Sequence, residues 1–244
     1  EVSKNPLICD RKKLVSPHAF YLGISGSGKS MGMKNTIMNV VLGTDDDVII
    51  VDAEREYGTL ARAFGGEVVE ISPHSTHHLN PLEIVFGYED ENPIARKSEL
   101  ITSILEQQMA NGAIKGSYKS IIDRCTANIY KPYLKGKAPA PLLTDWRNEV
   151  LKQKEPEARE LALTAELITE GSLNVFAHQS DVDMSNRIVV LDLYEMGEAL
   201  RPTALVVTLE AIQNRVMDNR KRGKFTWVFL DEDYLYFRHH YSAE

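Results

Sequence analysis

Cysteine is scarce. The chain has two in 244 residues, and Cys9 and Cys125 stand far apart in none of the spacings of a metal knuckle or redox pair. That excludes a disulfide scaffold and fits a reducing compartment. No run of 18 apolar residues occurs, so no segment is a candidate membrane span. The opening Glu1-Val2-Ser3-Lys4 has no basic-then-apolar leader. A cytoplasmic location is expected, with any membrane association peripheral. Gly (15) and Pro (10) are too few for collagen-like or low-complexity sequence. A basic excess is also lacking: Lys and Arg total 28 against 35 Asp and Glu, for a net charge of -7. This argues against a protein whose main task is to coat nucleic acid.

What is present is an ordinary globular composition, 43% hydrophobic and 26% charged. The length suits one large domain or one domain with a sizeable insertion. The charge is uneven: residues 92–170 hold 12 Lys and Arg against 10 Asp and Glu, so the acidity lies in the flanks.

The pattern of apolar residues follows the same division. Residues 19–22 read as a short strand that breaks into a glycine-rich turn. After it, Met33, Ile37, Val40 and Val41 mark one face of a helix. The β-branched block Val48-Ile49-Ile50-Val51-Asp52 predicts a strand buried on both faces, and 68–71 predicts another. From Asn92 the period changes. Asn92 is the expected N-cap and Pro93 the first helical residue, and Ile94, Ile101, Ile104, Leu105 and Met109 line one face. Further helices are predicted at 118–130, 144–154 and 157–170, with Gly171 as C-cap. Strand character returns at 188–193, a long helix at 203–221, and a strand at 227–231. The expectation is an α/β fold, with a mostly parallel sheet flanked by helices, whose two parts (1–91 and 171–244) enclose an all-α insertion at 92–170.

Gly23-Ile24-Ser25-Gly26-Ser27-Gly28-Lys29-Ser30 matches the P-loop pattern at every fixed position, between a predicted strand and helix. Glycines let successive N–H groups converge on phosphate oxygens, and the helix N-terminus adds positive potential. Gly23, Ser25, Gly26, Ser27, Gly28, Lys29, Ser30 and Met31 are therefore the candidate nucleotide-binding residues. Lys29 reaches the β- and γ-phosphates and the Ser30 hydroxyl takes Mg²⁺. Met31, Met33 and Met38 otherwise read as core filler.

A hydrolysing P-loop site also needs a metal carboxylate and a group that activates water. The strand Trp227-Val228-Phe229-Leu230 delivers Asp231 and then Glu232 at its carboxyl end, which assigns Asp231 to Mg²⁺ and Glu232 to the attacking water. This pair favours ATP hydrolysis over phosphoryl transfer to a small molecule, and with Lys29 it forms the candidate catalytic set.

Weaker signals surround that set. Asp52, Glu54 and Glu56 follow a strand and are expected to face the same crevice, either supporting the metal or as a solvated turn. His74, His77 and His78 have the spacing of a helical metal site, but Pro73 and Asn80-Pro81 make the segment a loop and no Cys is near. Arg220, Lys221, Arg222 and Lys224 could touch DNA, but positive charge at a helix C-terminus also suits the helix dipole.

These residues together resemble the VirB-four-type ATPases of type IV secretion and conjugative transfer (TraC/TrbE-like), within the HerA/FtsK group of RecA-like P-loop motors. The resemblance rests on Gly23 to Ser30, on the stretch from Thr44 to Tyr57, and on Ile71-Ser72-Pro73 through Asn80-Pro81. It extends to Pro141-Leu142-Leu143-Thr144-Asp145, Glu170-Gly171-Ser172-Leu173-Asn174 and the Trp227 to Glu232 strand. Ala53 departs from it, standing where such proteins carry Pro. The resemblance implies a RecA-like core with an all-α insertion, ATP and Mg²⁺ as cofactors, and a homo-oligomeric, hexameric motor. It also implies other subunits of the secretion apparatus as partners and a peripheral position at the inner face of the cytoplasmic membrane. DNA contact is not indicated by the charge. The group further carries a sensor strand and an arginine acting on the neighbouring subunit's nucleotide, for which no counterpart follows Glu232. The sequence is therefore expected to be a fragment that turns ATP over slowly. The alternatives are a DNA-pumping relative and a nucleotide-gated scaffold with incidental turnover.

Overall fold

The computed structural model describes residues 10–24, 26–85, 92–109, 114–198 and 200–231. Strands β1 (Asp47–Asp52), β2 (Glu67–Glu70), β3 (Ile188–Asp192) and β4 (Thr226–Leu230) form one sheet in the order β2-β3-β1-β4. Every pairing is parallel. All six residues of β1 and all five of β3 are buried, as expected for β-branched runs covered on both faces.

Alternation along the strands divides the core in two. Val48 and Ile50, with Ile188 and Val190, share a core with α1 (Lys29–Gly43), through Met33, Ile37, Val40 and Val41, and with α2 (Gly58–Ala63), through Ala61. Ile49 and Val51, with Val189 and Leu191, belong to the larger core on the other face. That core takes in α3 (Pro93–Gln108), α4 (Gly116–Leu134), α5 (Leu143–Val150), α6 (Pro156–Thr164) and α8 (Arg201–Lys221). Between 92 and 170 the described residues form helices only, α7 (Glu166–Thr169) included. They share one continuous core with the sheet.

The start of α3 follows from its sequence. Asn92 Oδ1 accepts the N–H groups of Ile94 and Ala95 at 3.2 and 3.3 Å, and Pro93 occupies the first turn. The loop carrying Asn80-Pro81 proves to be a junction. The carbonyl of Pro81 accepts from Lys97 Nζ (2.7 Å), that of Leu82 from the Tyr130 hydroxyl (2.5 Å) and that of Glu83 from Asn214 Nδ2 (3.3 Å). Asn80 Nδ2 donates to Pro141 O at 3.1 Å. A buried loop must find partners for its backbone carbonyls, and these come from α3, α4 and α8.

Five expectations are corrected. Residues 19–22 are not a strand: Phe20 and Leu22 are 70% and 85% exposed, and only Tyr21 turns inward, its hydroxyl 2.5 Å from Thr36 Oγ1. An extended segment becomes a strand only by pairing, and among the described residues nothing pairs with it. The helix expected over 157–170 breaks at Ala165 into α6 and α7, and the one expected over 144–154 ends at Val150. Gly171 is not a left-handed cap, since its φ is not positive. It is required because a Cβ there would meet the Leu167 backbone at 2.9 Å. Met31 is not core filler either, being 68% exposed.

Candidate functional site

The loop before α1 has the backbone its glycines permit. Gly26 and Gly28 have φ of 76° and 88°, which a side chain would strain, and Gly28 sits at the N-cap of α1 without a side-chain cap. The first rung of the helix is donated by Gly32 to Gly28 O at 2.9 Å. The N–H groups of Lys29, Ser30 and Met31 precede that rung and point out of the helix end. Met31 takes part in that helix end through its backbone, while its side chain lies in solvent. Lys29 Nζ donates to Gly23 O at 2.9 Å, so the ammonium lies over the loop. Ser25 and Glu232 lie outside the described residues.

The carboxyl ends of the strands are acidic throughout: Asp52 ends β1, Glu70 ends β2, Asp192 ends β3, and Asp231 follows β4. Asp231 continues the ladder, its N–H donating to Val51 O at 3.1 Å, so its position beside β1 is fixed by the sheet. Asp52 serves the turn that follows it. Its two oxygens accept the N–H groups of Glu56 and Tyr57 at 2.9 and 2.8 Å, which folds the 52–57 turn. Glu56 pairs with Lys34 at 3.2 Å and Glu54 is exposed.

Sequence reasoning gave Arg55 and Tyr57 no role. Arg55 has a φ of 60°, the one positive value among the described residues other than glycine. It bonds Asp192 at 2.6 Å, Glu195 at 3.0 Å and Glu70 at 3.0 Å, and stacks 5.1 Å from the Tyr194 ring. One guanidinium thus ties the ends of β2 and β3 to the turn after β1. Tyr57 is wholly buried beside Ser30, with Asp231 and Glu56 near enough for their charges to act on it. Burial first, and then the negative charge of Asp231, push its phenol pKa up. The alternation of acidic and other residues from Asp52 to Tyr57 was the one available signal for both.

The remaining candidates resolve into structural contacts. His78 Nδ1 is 3.0 Å from Asp181 and its ring 4.5 Å from that of His178, joining the 74–80 loop to the segment before β3. Among the described residues no group of three or more His, Cys, Asp and Glu side chains is placed to hold a metal ion. Arg222 pairs with Asp218 at 2.7 Å and Lys224 with Asp47. Cys125 is buried and its thiol pKa is pushed up to about 11, chiefly by desolvation.

No helix among the described residues is long and apolar enough to cross a membrane. Among curated proteins none matches the chain. The structure of VirB4 of Thermoanaerobacter pseudethanolicus is similar, with a TM-score of 0.68 and 18% identity over 85% of this chain and 81% of that one. The shared fold is the RecA-like α/β arrangement, a parallel sheet flanked by helices. The family described as "Helicase HerA, central domain" matches residues 2–196, a span that includes the glycine loop and three of the four strands. The chain therefore belongs to the HerA helicase central-domain family, a family of P-loop ATPases.

Proposed function

We propose that this chain is the ATPase core of a motor subunit that energises substrate transport or apparatus assembly in a type IV secretion, conjugative system. The observation that carries the reading is the convergence of two elements. The first turn of α1 presents Lys29 and Ser30 directly after the glycine loop, and the sheet sets Asp231 at the carboxyl end of β4, its N–H bonded to Val51 O at 3.1 Å. These residues fit a Mg²⁺-nucleotide. The glycine loop leaves room for phosphate oxygens, the set holds one cation and one carboxylate, and the Tyr57 hydroxyl is a buried polar atom without a hydrogen-bond partner among the described residues.

In this reading the loop N–H groups and Lys29 hold the phosphates, and Ser30 and Asp231 hold Mg²⁺. Glu232, one residue beyond Asp231, takes the proton of the attacking water. The metal, when bound, draws charge from the phosphate oxygens. The 92–170 helices form an inserted subdomain within the two-part core. Partners are other subunits of the apparatus, with a homo-hexamer at the inner face of the cytoplasmic membrane. The VirB4 likeness supports the secretion assignment.

The family description favours a second reading, a DNA-pumping translocase. Against it, Arg222 and Lys224 are engaged by Asp218 and Asp47. Steady-state phosphate release by the chain and by Glu232→Gln, with and without DNA, tests both. Slow Mg²⁺-dependent turnover that Glu232→Gln abolishes without loss of ATP binding is the expected result. Strong stimulation by DNA would shift the assignment to the translocase, and no nucleotide binding would refute both.

A further inference from the structure

Charge on this molecule is sorted by edge of the sheet. The carboxyl ends of the strands carry Asp52, Glu70, Asp192 and Asp231. At the opposite edge, where β1 and β4 begin and α8 ends, two basic segments far apart in sequence are anchored on neighbouring residues. Lys12, in the helical turn Arg11–Lys13, pairs with Asp46 at 2.5 Å, and Lys224 pairs with Asp47. Lys12 Nζ also lies 5.1 Å from the centroid of the Phe225 ring, and Trp227 Nε1 donates to Asp46 at 2.9 Å. Asp46 and Asp47 are buried, whereas the cations around them face outward: Lys13, Arg220, Lys221 and Arg222 are exposed and Arg11 is partly so. Asp45 adds an exposed carboxylate. Asp10 and Asp218 pair with Lys13 and Arg222 at 3.7 and 2.7 Å, through side chains open enough to water for the pairs to yield readily. The helix dipole accounts for positive charge at the end of α8, but not for the second basic segment at 11–13.

Apolar side chains protrude from the same edge. Leu14 and Val15 follow directly on Lys13, Val15 fully exposed, and Leu42 near the end of α1 is 74% exposed. The phosphates of a nucleic-acid backbone offer such side chains nothing, whereas the boundary between lipid headgroups and acyl chains takes cations and aliphatic groups together. The other exposed apolar group, Phe20, Leu22, Ile24 and Met31, flanks the glycine loop at the acidic edge, where an anionic surface is repelled.

We propose that the amino-terminal edge of the sheet is a docking surface for an anionic lipid bilayer, with Arg11, Lys13, Arg220, Lys221 and Arg222 on the headgroup phosphates and Leu14, Val15 and Leu42 at the acyl boundary. This deepens the peripheral position proposed above by naming the face that makes it. The glycine loop, at the far end of strands about 17 to 20 Å long, is thereby turned away from the membrane.

The test is co-sedimentation of the 244-residue chain with vesicles of phosphatidylcholine alone or with about 30% phosphatidylglycerol, at low and high salt. Binding is expected to the anionic vesicles at low salt. Combining Arg11→Gln, Lys13→Gln and Lys221→Gln should lower the partition coefficient about a hundredfold, roughly fivefold per charge. Val15→Ser should weaken it several-fold with the charge unchanged. Wild-type binding in the triple variant overturns the inference and leaves the peripheral position standing. So does binding that Val15→Ser leaves intact, which would mark a purely electrostatic surface; if that surface also holds a DNA duplex, the partner is nucleic acid. No binding of the wild-type chain to anionic vesicles removes the peripheral position and the inference together, and leaves the ATP site untouched.

Discussion

The ammonium nitrogen of Lys29 lies 2.9 Å from the carbonyl oxygen of Gly23, so the first side chain of α1 closes over the loop that precedes it. That bond is exposed and contributes little to the fold. Lys29→Ala should leave the Tm within a few degrees of wild type and weaken Mg²⁺-ATP binding about 100-fold or more, the loss of charged contacts to two phosphates. Isothermal titration with ATP and Mg²⁺ measures it. Retained affinity would place the phosphates elsewhere.

Arg55 is held in a left-handed backbone conformation by its three carboxylates. Its side chain is partly exposed, so the net worth of the pairs is reduced by solvent. Arg55→Ala should cost about 1 to 3 kcal/mol, mostly from leaving Asp192 without its cation. Arg55→Gly removes the same pairs but relieves the positive φ, and should be more stable than the alanine variant by about 1 kcal/mol. Urea unfolding of both variants decides the order, and a glycine variant less stable than alanine would contradict the strain.

Asp47, at the start of β1, is buried against Arg215 and Asn219, each at 2.6 Å, and against Lys224. Burial by itself would raise its pKa, but the bonds from Lys224, Asn219 and Arg215 outweigh it and hold the carboxyl below its ordinary 3.8. A depressed folded pKa gives stability that is fully present above the unfolded value and is lost as pH falls through the folded one. Asp47→Asn should therefore cost about 3 kcal/mol at pH 7, and the gap to wild type should narrow once pH drops below 3.8. Denaturant midpoints at pH 7 and in the acid range test the sign.

Lys97 and Glu210 join α3 to α8 through a 2.6 Å pair that is almost fully buried, and Lys97 also serves the Pro81 carbonyl. Lys97→Met strands Glu210 and should cost about 3 to 5 kcal/mol, whereas adding Glu210→Leu should recover much of it. Chemical unfolding of the single and double variants is the measurement. A double variant no better than the single would show that the Pro81 contact matters more than the charge.

Much of the fold was legible because its signals were local. The Val48 to Val51 block, the Met33, Ile37, Val40, Val41 face and the Asn92-Pro93 cap each depend on residues within one or two turns. The segment at 19–22 misled because apolar character records a preference for burial, while a strand exists only through a partner that local sequence does not name. The break at Ala165 was hidden for the opposite reason: Leu161, Ala162, Ala165 and Ile168 are all buried, so the apolar spacing runs through the bend without interruption. In the candidate site, the loop and Asp231 were readable from spacing. Arg55 was not, since its partners Asp192 and Glu195 stand over a hundred positions away.

The division of the core by the sheet has a consequence in time. α1 packs on one face of β1 and β3, while α3, α4 and α8 pack on the other. Either layer can loosen without exposing these two strands, whose amides are covered on both sides and bonded laterally. Their amide protons should exchange with solvent only through global unfolding, and more slowly than those of any other segment. The amides of β4 should be replaced sooner, because Val228 is part-exposed and the strand pairs only with β1 among the described residues. Asp231, the carboxylate proposed to face the metal, is thus carried by the more yielding margin of the sheet.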